Sequence, residues 1–395
     1  MERRKPQLAN HKECTGCLAC ADSCKHDALK TYLGTDGHYY VKVNEEQCIG
    51  CLACEKTCPV VSKLDYTTSP LAKAYAGWAR DDAVRQVSAT AGAFAAMALK
   101  VLLEGGYVCG AAIVDGIYVK HICIDKKEDL HLLQGSKYTQ SDATGIYKTV
   151  FEHLKTGAMV LFSGTGCQVA GLYGYIGKKK YDGTLYTVDL ICGGVPSRLL
   201  IDKFIENEPY TVKRIVSFRS KDNGWSPQGF RYNLKVEDSQ GMLHDYTGKR
   251  NLITTGFACE MTNRYSCYQC QFAGVNRMSD FTIGDYWGVK DYPEQHRNGV
   301  SAIIAHNERA VEFLQSCSIS LEVRDADLND ILTHNKRLGK TKDRRYLLPE
   351  RKWMTTAFRK LNYKTLCKIY AVDFSNKSPW MLYKAYRAII SRIIK

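Results

Sequence analysis

The sequence predicts three consecutive parts: an α+β N-terminal module over residues 1–66, an α/β domain with appended antiparallel strands over residues 74–325, and a helical basic tail over residues 340–395. Three observations predict them. A run of four cysteines occurs twice, 34 residues apart; apolar strands enter Gly-rich turns near residues 164 and 193; and positive charge gathers at the C-terminal end. The 395 residues are 45% hydrophobic and 24% charged, which argues against a disordered or collagen-like polymer.

The repeat is Cys14-x2-Cys17-x2-Cys20-x3-Cys24, returning as Cys48-x2-Cys51-x2-Cys54-x3-Cys58. Between the copies the chain alternates and holds a Gly-flanked turn, which reads as a short hairpin; residues 65–70 read as a linker. The spacing matches bacterial two-cluster ferredoxins, in which the fourth cysteine of each run ligates the opposite cluster. The module is therefore expected to be ferredoxin-like. Cys14, Cys17, Cys20 and Cys58 are assigned to one 4Fe-4S cluster, and Cys48, Cys51, Cys54 and Cys24 to the other. Each triplet would wrap three irons from a tight loop, with the fourth thiolate arriving from the start of the following helix. Zinc, the alternative, favours two CxxC pairs over a triplet plus one. Pro59 follows Cys58, whereas Lys25 follows Cys24. Lys25 and His26 are expected to raise the potential of the nearby cluster, because reduction adds negative charge.

Seventeen cysteines without an N-terminal apolar run predict a cytoplasmic chain whose thiols are ligands or buried hydrophobes rather than disulfides. No window reaches the ~18 uninterrupted apolar residues of a membrane span; Ala89–Leu103 is broken by Lys100.

Beyond the linker, Asp81–Leu103 has helical spacing, and residues 107–124 read as a hairpin. Ala158–Phe162 is a strand entering Gly164-Thr165-Gly166, with a helix over Gln168–Ile176; Leu185–Ile191 is a second strand ending at Cys192-Gly193-Gly194. Residues 211–255 alternate and carry turn signals at Asn223-Gly224 and Pro227, the appended antiparallel strands. Strand ends of such a sheet converge on one edge, so Cys167, Cys192 and the distant Cys267-x2-Cys270 could share a site.

At these residues the chain resembles the beta subunits of coenzyme F(420)-reducing hydrogenases and formate dehydrogenases, a family that includes 7-hydroxymethyl chlorophyll a reductase. The resemblance spans roughly residues 74–320. It is carried by QVSATAGAF (86–94), GSKYTQS (135–141), FSGTGCQ (162–168), DLICGGVPS (189–197) and RYSCYQCQFAGVNRMSDFTIGDYWG (264–288), in the family's order. It implies a third 4Fe-4S cluster on Cys167, Cys192, Cys267 and Cys270 beside a non-covalent FAD that exchanges hydride with an organic partner. Two positions depart from the family: Gly166 stands where it usually has proline, and Ala91-Gly92 where it has two glycines. Cys109, Cys123, Cys259, Cys317 and Cys367 have no counterpart and read as structural.

For the flavin, Gly135, Ser136, Lys137, Tyr138 and Thr139 combine a permissive backbone, hydroxyls and a cation. Thr90 and Gly92, near a helix start, could offer backbone N–H groups to a phosphate, and Gln168 lies within the FSGTGCQ motif. Gly164-x-Gly166 lacks the third glycine of a dinucleotide fingerprint. No catalytic side chain is assigned, because the cofactor carries the chemistry.

Residues 340–395 hold 15 Lys/Arg against three carboxylates, most of the net +14. Leu382, Tyr386, Ile389, Ile390 and Ile393 share one helical face, with Lys384, Arg387 and Lys395 on another. Such a helix could rest on an anionic surface at the inner membrane, bind an acidic protein, or pack on its own domain; no nucleic-acid motif is present. The whole reads as an oxidoreductase passing electrons from a ferredoxin or similar electron-transfer protein through the clusters to FAD, and on to an organic substrate or deazaflavin-like carrier. The alternative is a non-catalytic electron-transfer subunit of a larger hydrogenase- or dehydrogenase-like complex.

Overall fold

Each cysteine run folds into the same loop. Gly16 and Leu18 take φ of 69° and 68°, and Gly50 and Leu52 repeat the pattern at 74° and 60°. A leucine in that left-handed region costs about 1–2 kcal/mol, and the repeat of the cost at equivalent positions shows that loop shape outranks backbone ease. Each loop opens a short helix, Ala19–Asp22 and Ala53–Thr57. Cys24 and Cys58 fall at the ends of these helices, Cys58 as the C-cap. The fourth cysteine thus comes from the end of the helix, not from its start, where the sequence pattern alone puts it.

The computed structural model describes residues 4–62, 64, 72–222, 224–226, 233–247, 251–338 and 342–370. The linker at 65–70, the turn signals at Asn223 and Pro227, and the amphipathic segment 382–395 lie outside the described residues.

Between the cysteine runs, β1 (Leu29–Leu33) and β2 (Tyr39–Val43) form the expected hairpin, in register from Leu29 against Val43 to Leu33 against Tyr39. The main domain follows with β3 (Lys73–Ala79), β4 (Tyr107–Val114), β5 (Tyr118–Ile124), β6 (Met159–Gly164) and β7 (Thr184–Leu190). Next, β8 (Val212–Ser217), β9 (Leu234–Asp238) and β10 (Leu243–Tyr246) make a separate antiparallel sheet, and β11 (Gln269–Cys270) pairs with a late strand described below. β12 (Phe281–Asp285), β13 (Ser301–Ala305) and β14 (Leu321–Asp325) return to the main sheet, and β15 (Lys342–Asp343) is the partner of β11.

The eight-stranded sheet runs β14-β3-β13-β12-β7-β6-β4-β5. Its centre, β12-β7-β6-β4, is parallel, so four strands end on one edge, where ligands of open α/β sheets gather. The helices Ala93–Leu103 and Glu308–Ser316 cover one face, built on Met97, Val101, Phe313 and Leu314. Ile146–Lys155 and Gly166–Ile176 cover the other, and Cys17 and Ala19 of the N-terminal module join that core. The single helix expected over Asp81–Leu103 is broken into Asp82–Val87 and Ala93–Leu103. Ser88 turns its hydroxyl back onto the Val84 carbonyl, and Gly92 at φ 82° restarts the helix.

The C-terminal segment is not free-standing where it is described. Helices Leu348–Lys360 and Tyr363–Tyr370 bury Met354, Phe358, Tyr363 and Leu366 in a second core with Leu234, Val236 and Phe204, because their apolar residues recur at helical spacing while most of the cations stay outward. Cys109 and Cys123 correct a further expectation, that the thiols are free of disulfides. They face each other across β4 and β5 and are disulfide-bonded; a directly opposed antiparallel pair brings the side chains within bonding reach.

Candidate functional site

Cys24, Cys48, Cys51 and Cys54 wall a partly open cavity lined also by Pro6, His26, Ala28, Leu29, Val43, Ile49, Leu52 and Ala53. These are the four thiols that the crossed ferredoxin pattern groups together. Cys51 is exposed, and Ile49 beside it is half exposed, so this pocket reaches the surface. His26 lies in its wall, as expected from its place two residues after Cys24.

Cys14, Cys17, Cys20 and Cys58 form the inner set. Burial pushes the Cys17 thiol up to about 12, with Cys58 and Cys14 adding to the effect; Cys20 is raised by burial and by Cys17, Cys14 and Cys58. Each thiol therefore stands close enough to its fellows that charging several together, without a cation, is unfavourable. Iron binding would displace those protons. Among the described residues no three His, Cys, Asp or Glu side chains converge as a single metal ion would require; in a cubane each of the four thiolates binds a different iron.

The third set gathers at the parallel edge. Cys167 opens the helix Gly166–Ile176 just after β6, and Cys192 follows β7. Burial raises the Cys167 thiol first, then Cys270, Cys17 and Cys192 nearby. Cys267 joins through the backbone: Val195 N–H points at Cys267 Sγ (3.4 Å) while Gly194 N–H points at Cys192 Sγ (3.4 Å). Thr165 Oγ1 lies 3.1 Å from Cys167 Sγ. Donors aimed at sulfur are what iron–sulfur thiolates use to set potential. The thiols the resemblance implies thus gather at one edge of the sheet, and thiolates facing N–H donors are the kind of ligand a 4Fe-4S cluster takes.

The inner set and the third set adjoin. A Cβ built on Gly171 would stand 3.1 Å from Cys17 Sγ and 3.2 Å from Ala19 Cβ. Tyr147 is fully buried beside both, its hydroxyl donating to the Cys17 carbonyl at 2.6 Å. Burial chiefly, then Cys17 and Cys167, keep its phenol protonated.

The flavin candidates divide. Gln134 donates to Ser88 Oγ, and Gly135 (φ 79°) lies near the Val87 carbonyl, so the 86–94 and 135–141 motifs share one neighbourhood. Tyr138 stacks on Phe257 at 4.2 Å, with Ser136 and Arg219 as side-chain partners. Thr139 Oγ1 is buried without a hydrogen-bond partner. Lys137, half-buried, donates to the Leu132 and Gln134 carbonyls, and burial lowers it to about 7. Two candidates have other employment. Thr90 Oγ1 donates to Asp285 Oδ1 at 2.7 Å. Gln168 closes a capping box with Thr165 and donates to Ser141, holding the helix that begins beside Cys167. Gly92 caps its helix against Ala79, and the Ala91 methyl lies in the core with Trp78 and Val300.

Sequence reasoning missed the cations here. Arg219 forks onto Asp285 at 2.9 and 3.0 Å, Trp225 Nε1 donates to the same carboxylate, and Lys221 donates to the Thr90 and Asn298 carbonyls. Arg85, Lys221 and Arg219 meet with Asp285 and Asp82 as their counter-charges, a concentration of cations that suits a diphosphate. Arg219 and Lys221 lie in no quoted motif and Arg85 only borders the one at 86–94, so the fold alone assembles the three.

No curated protein matches the chain. Among solved structures the chain is similar to the F420-reducing NiFe hydrogenase complex from Methanosarcina barkeri, at 16% identity and a TM-score of 0.45, over 69% of this chain and 92% of that one. Residues 157–329 match the family model for the C-terminal part of the coenzyme F420 hydrogenase/dehydrogenase beta subunit, and residues 13–61 match the 4Fe-4S dicluster domain. Residues 13–61 are thus identified as a 4Fe-4S dicluster module, and residues 157–329 as a segment similar to the C-terminal part of the coenzyme F420 hydrogenase/dehydrogenase beta subunit.

Proposed function

We propose that this chain is an iron–sulfur flavoprotein oxidoreductase, in which three clusters lead from the surface to FAD and an organic substrate or deazaflavin-like carrier. The observation that carries the reading is the approach of Cys17 to the helix that begins beside Cys167, at Gly171. It makes the inner N-terminal set and the third set neighbours, with the exposed Cys51 pocket at the outer end. When bound, the clusters would supply one-electron steps and the flavin would convert them to a two-electron transfer.

The chain's own residues do the rest. The Gly16–Leu18 and Gly50–Leu52 loops hold the N-terminal thiols. Gly194 and Val195 donate toward the third set, and the Thr165 hydroxyl lies beside Cys167. Arg85, Lys221 and Arg219 offer charge for a diphosphate, and Tyr138 and Phe257 offer aromatic surface. The coarser reading, an electron-transfer iron–sulfur subunit of a hydrogenase- or dehydrogenase-like complex, draws on the beta-subunit family match. A protein redox donor at the Cys51 face serves both readings. Among the described residues no helix is long and apolar enough to cross a membrane.

Anaerobic reconstitution with iron and flavin quantitation tests the proposal. About twelve irons and one FAD per chain are expected from three cubanes, each held by four cysteines. About eight irons, or no flavin, overturns it.

A further inference from the structure

Arg264 is fully buried, the largest side chain among the described residues with no exposure. Its Nε donates to the Cys14 carbonyl at 2.6 Å, and its Nη1 to the Tyr39 carbonyl at 2.7 Å and, more weakly, to Gln140 Oε1 at 3.5 Å. The guanidinium lies 4.1 Å from the centre of the Tyr40 ring. It is packed so closely on the first cysteine loop that a Cβ at Gly16 would meet Nη1 at 2.7 Å. Nη2 is buried and has no hydrogen-bond partner. Among the described residues Arg264 forms no ion pair; the carboxylate of the nearby hairpin, Asp36, is held by Arg351 at 2.7 Å.

A guanidinium cannot shed its charge in a protein. Buried without a carboxylate, it carries a desolvation penalty that neutral carbonyls and a ring face only partly offset. Such an arrangement calls for an anion. Four cysteine thiolates around a 4Fe-4S core form one, and reduction makes it more negative. Arg264 also precedes Cys267 by one turn of chain, and the Cys267 N–H donates to the Arg264 carbonyl. One residue therefore touches the ligand loops of both the inner N-terminal set and the third set.

We infer that Arg264 is the electrostatic partner of the inner cluster at Cys14, Cys17, Cys20 and Cys58, a positioning residue that raises its reduction potential and fastens its loop to the segment bearing Cys267. The inference rests on the iron–sulfur reading above. The reaction it tunes is simple: one electron from the redox donor enters the cluster, no bond breaks, and the fixed positive charge stabilises the added negative charge.

The experiment compares wild type, Arg264→Gln and Arg264→Lys after anaerobic reconstitution, by iron content and by EPR-monitored redox titration. A wild type that loads no N-terminal clusters sinks the underlying reading; the inference itself is judged on a loaded wild type. Expected is at least a tenfold shift against reduction in one one-electron step of Arg264→Gln, which is about 59 mV more negative, with Arg264→Lys recovering at least half. If Arg264→Gln fails to load while Arg264→Lys loads, the demand for charge is equally established. Unchanged potentials in loaded Arg264→Gln, or equal shifts or equal loading failure in both variants, overturn the inference, since packing alone would then explain the residue.

Discussion

Gly171 lies in contact with Cys17: a side chain on the glycine would begin 3.1 Å from the cysteine sulfur. Helix Gly166–Ile176 can approach the first cysteine loop because this position has no Cβ. Gly174, one turn on, lies against the Thr57 carbonyl in the same way, leaving no room for a side chain. Two glycines on one helix face thus form the seat on which both ends of the N-terminal module rest.

Filling that seat should separate the two parts without touching a ligand. Gly171→Leu is expected to destabilise the protein by about 1–3 kcal/mol through overpacking. It should also slow electron passage from the N-terminal module to the main domain by roughly tenfold or more, a barrier increase of about 1.4 kcal/mol, while iron content holds. Thermal melts and stopped-flow reoxidation check the two effects separately; wild-type rates in a loaded Gly171→Leu would show that this contact does not carry the transfer.

Asp36 and Arg351, 315 residues apart, make the second fastening. Arg351 donates to Asp36 Oδ2 at 2.7 Å, as does Tyr40 at 2.9 Å, and the Asp36 carbonyl accepts from Ser197. Arg351→Met leaves a buried carboxylate without its cation and should cost about 3–5 kcal/mol, measured by denaturant unfolding. Burial works to raise the Asp36 pKa, but His38 and the Arg351 and Tyr40 hydrogen bonds outweigh it, and the carboxyl sits below its ordinary value. A depressed carboxyl contributes stability that is present above its unfolded pKa of about 3.9 and is lost as pH falls through the folded value. Asp36→Asn should flatten that acid limb; an unchanged limb would place the acid sensitivity elsewhere.

How far the sequence shows all this depends on the kind of signal. Cysteine spacing is a local code, so both crossed sets are legible in it, and the cavity walled by Cys24, Cys48, Cys51 and Cys54 matches one of them. Strand, glycine turn and helix at 158–176 are equally legible, because period and breaker agree there. Arg264, Arg219 and Lys221 are not. Each is an ordinary cation in a loop, and its meaning lies in groups 66 to 250 positions away: Arg264 with Cys14, Arg219 with Asp285, Lys221 with Thr90. Gln168 misleads for a related reason. Its place in a conspicuous motif points to a ligand, whereas the capping box with Thr165 uses its carbonyl locally.

Removing single thiols separates the sets. Cys192→Ala should lower iron by about four per chain and leave the N-terminal signals intact, since a cubane needs four thiolates. Cys51→Ala, at the exposed wall of the outer cavity, should lower iron by a similar amount while sparing the third set. Iron assays with EPR of the reduced proteins decide. An iron content that Cys192→Ala leaves unchanged would remove the third cluster from the scheme.

Lys221 gives a pH signature at the flavin neighbourhood. It is buried, and burial first, then Arg85 and Arg219, lower it to about 7 despite Asp285. In the unfolded chain it titrates at about 10.4. Between these values the unfolded state binds more protons, so the lysine's contribution makes stability rise with pH from about 7 to about 10. Lys221→Met removes this rise, and the difference between the two stability curves, from urea unfolding of flavin-free protein, isolates it. A bound diphosphate would favour the charged lysine and cancel the slope in wild type. Adding FAD should therefore make the wild-type curve resemble that of Lys221→Met over the same range. A wild-type curve that keeps its slope with FAD bound would place the diphosphate away from Lys221.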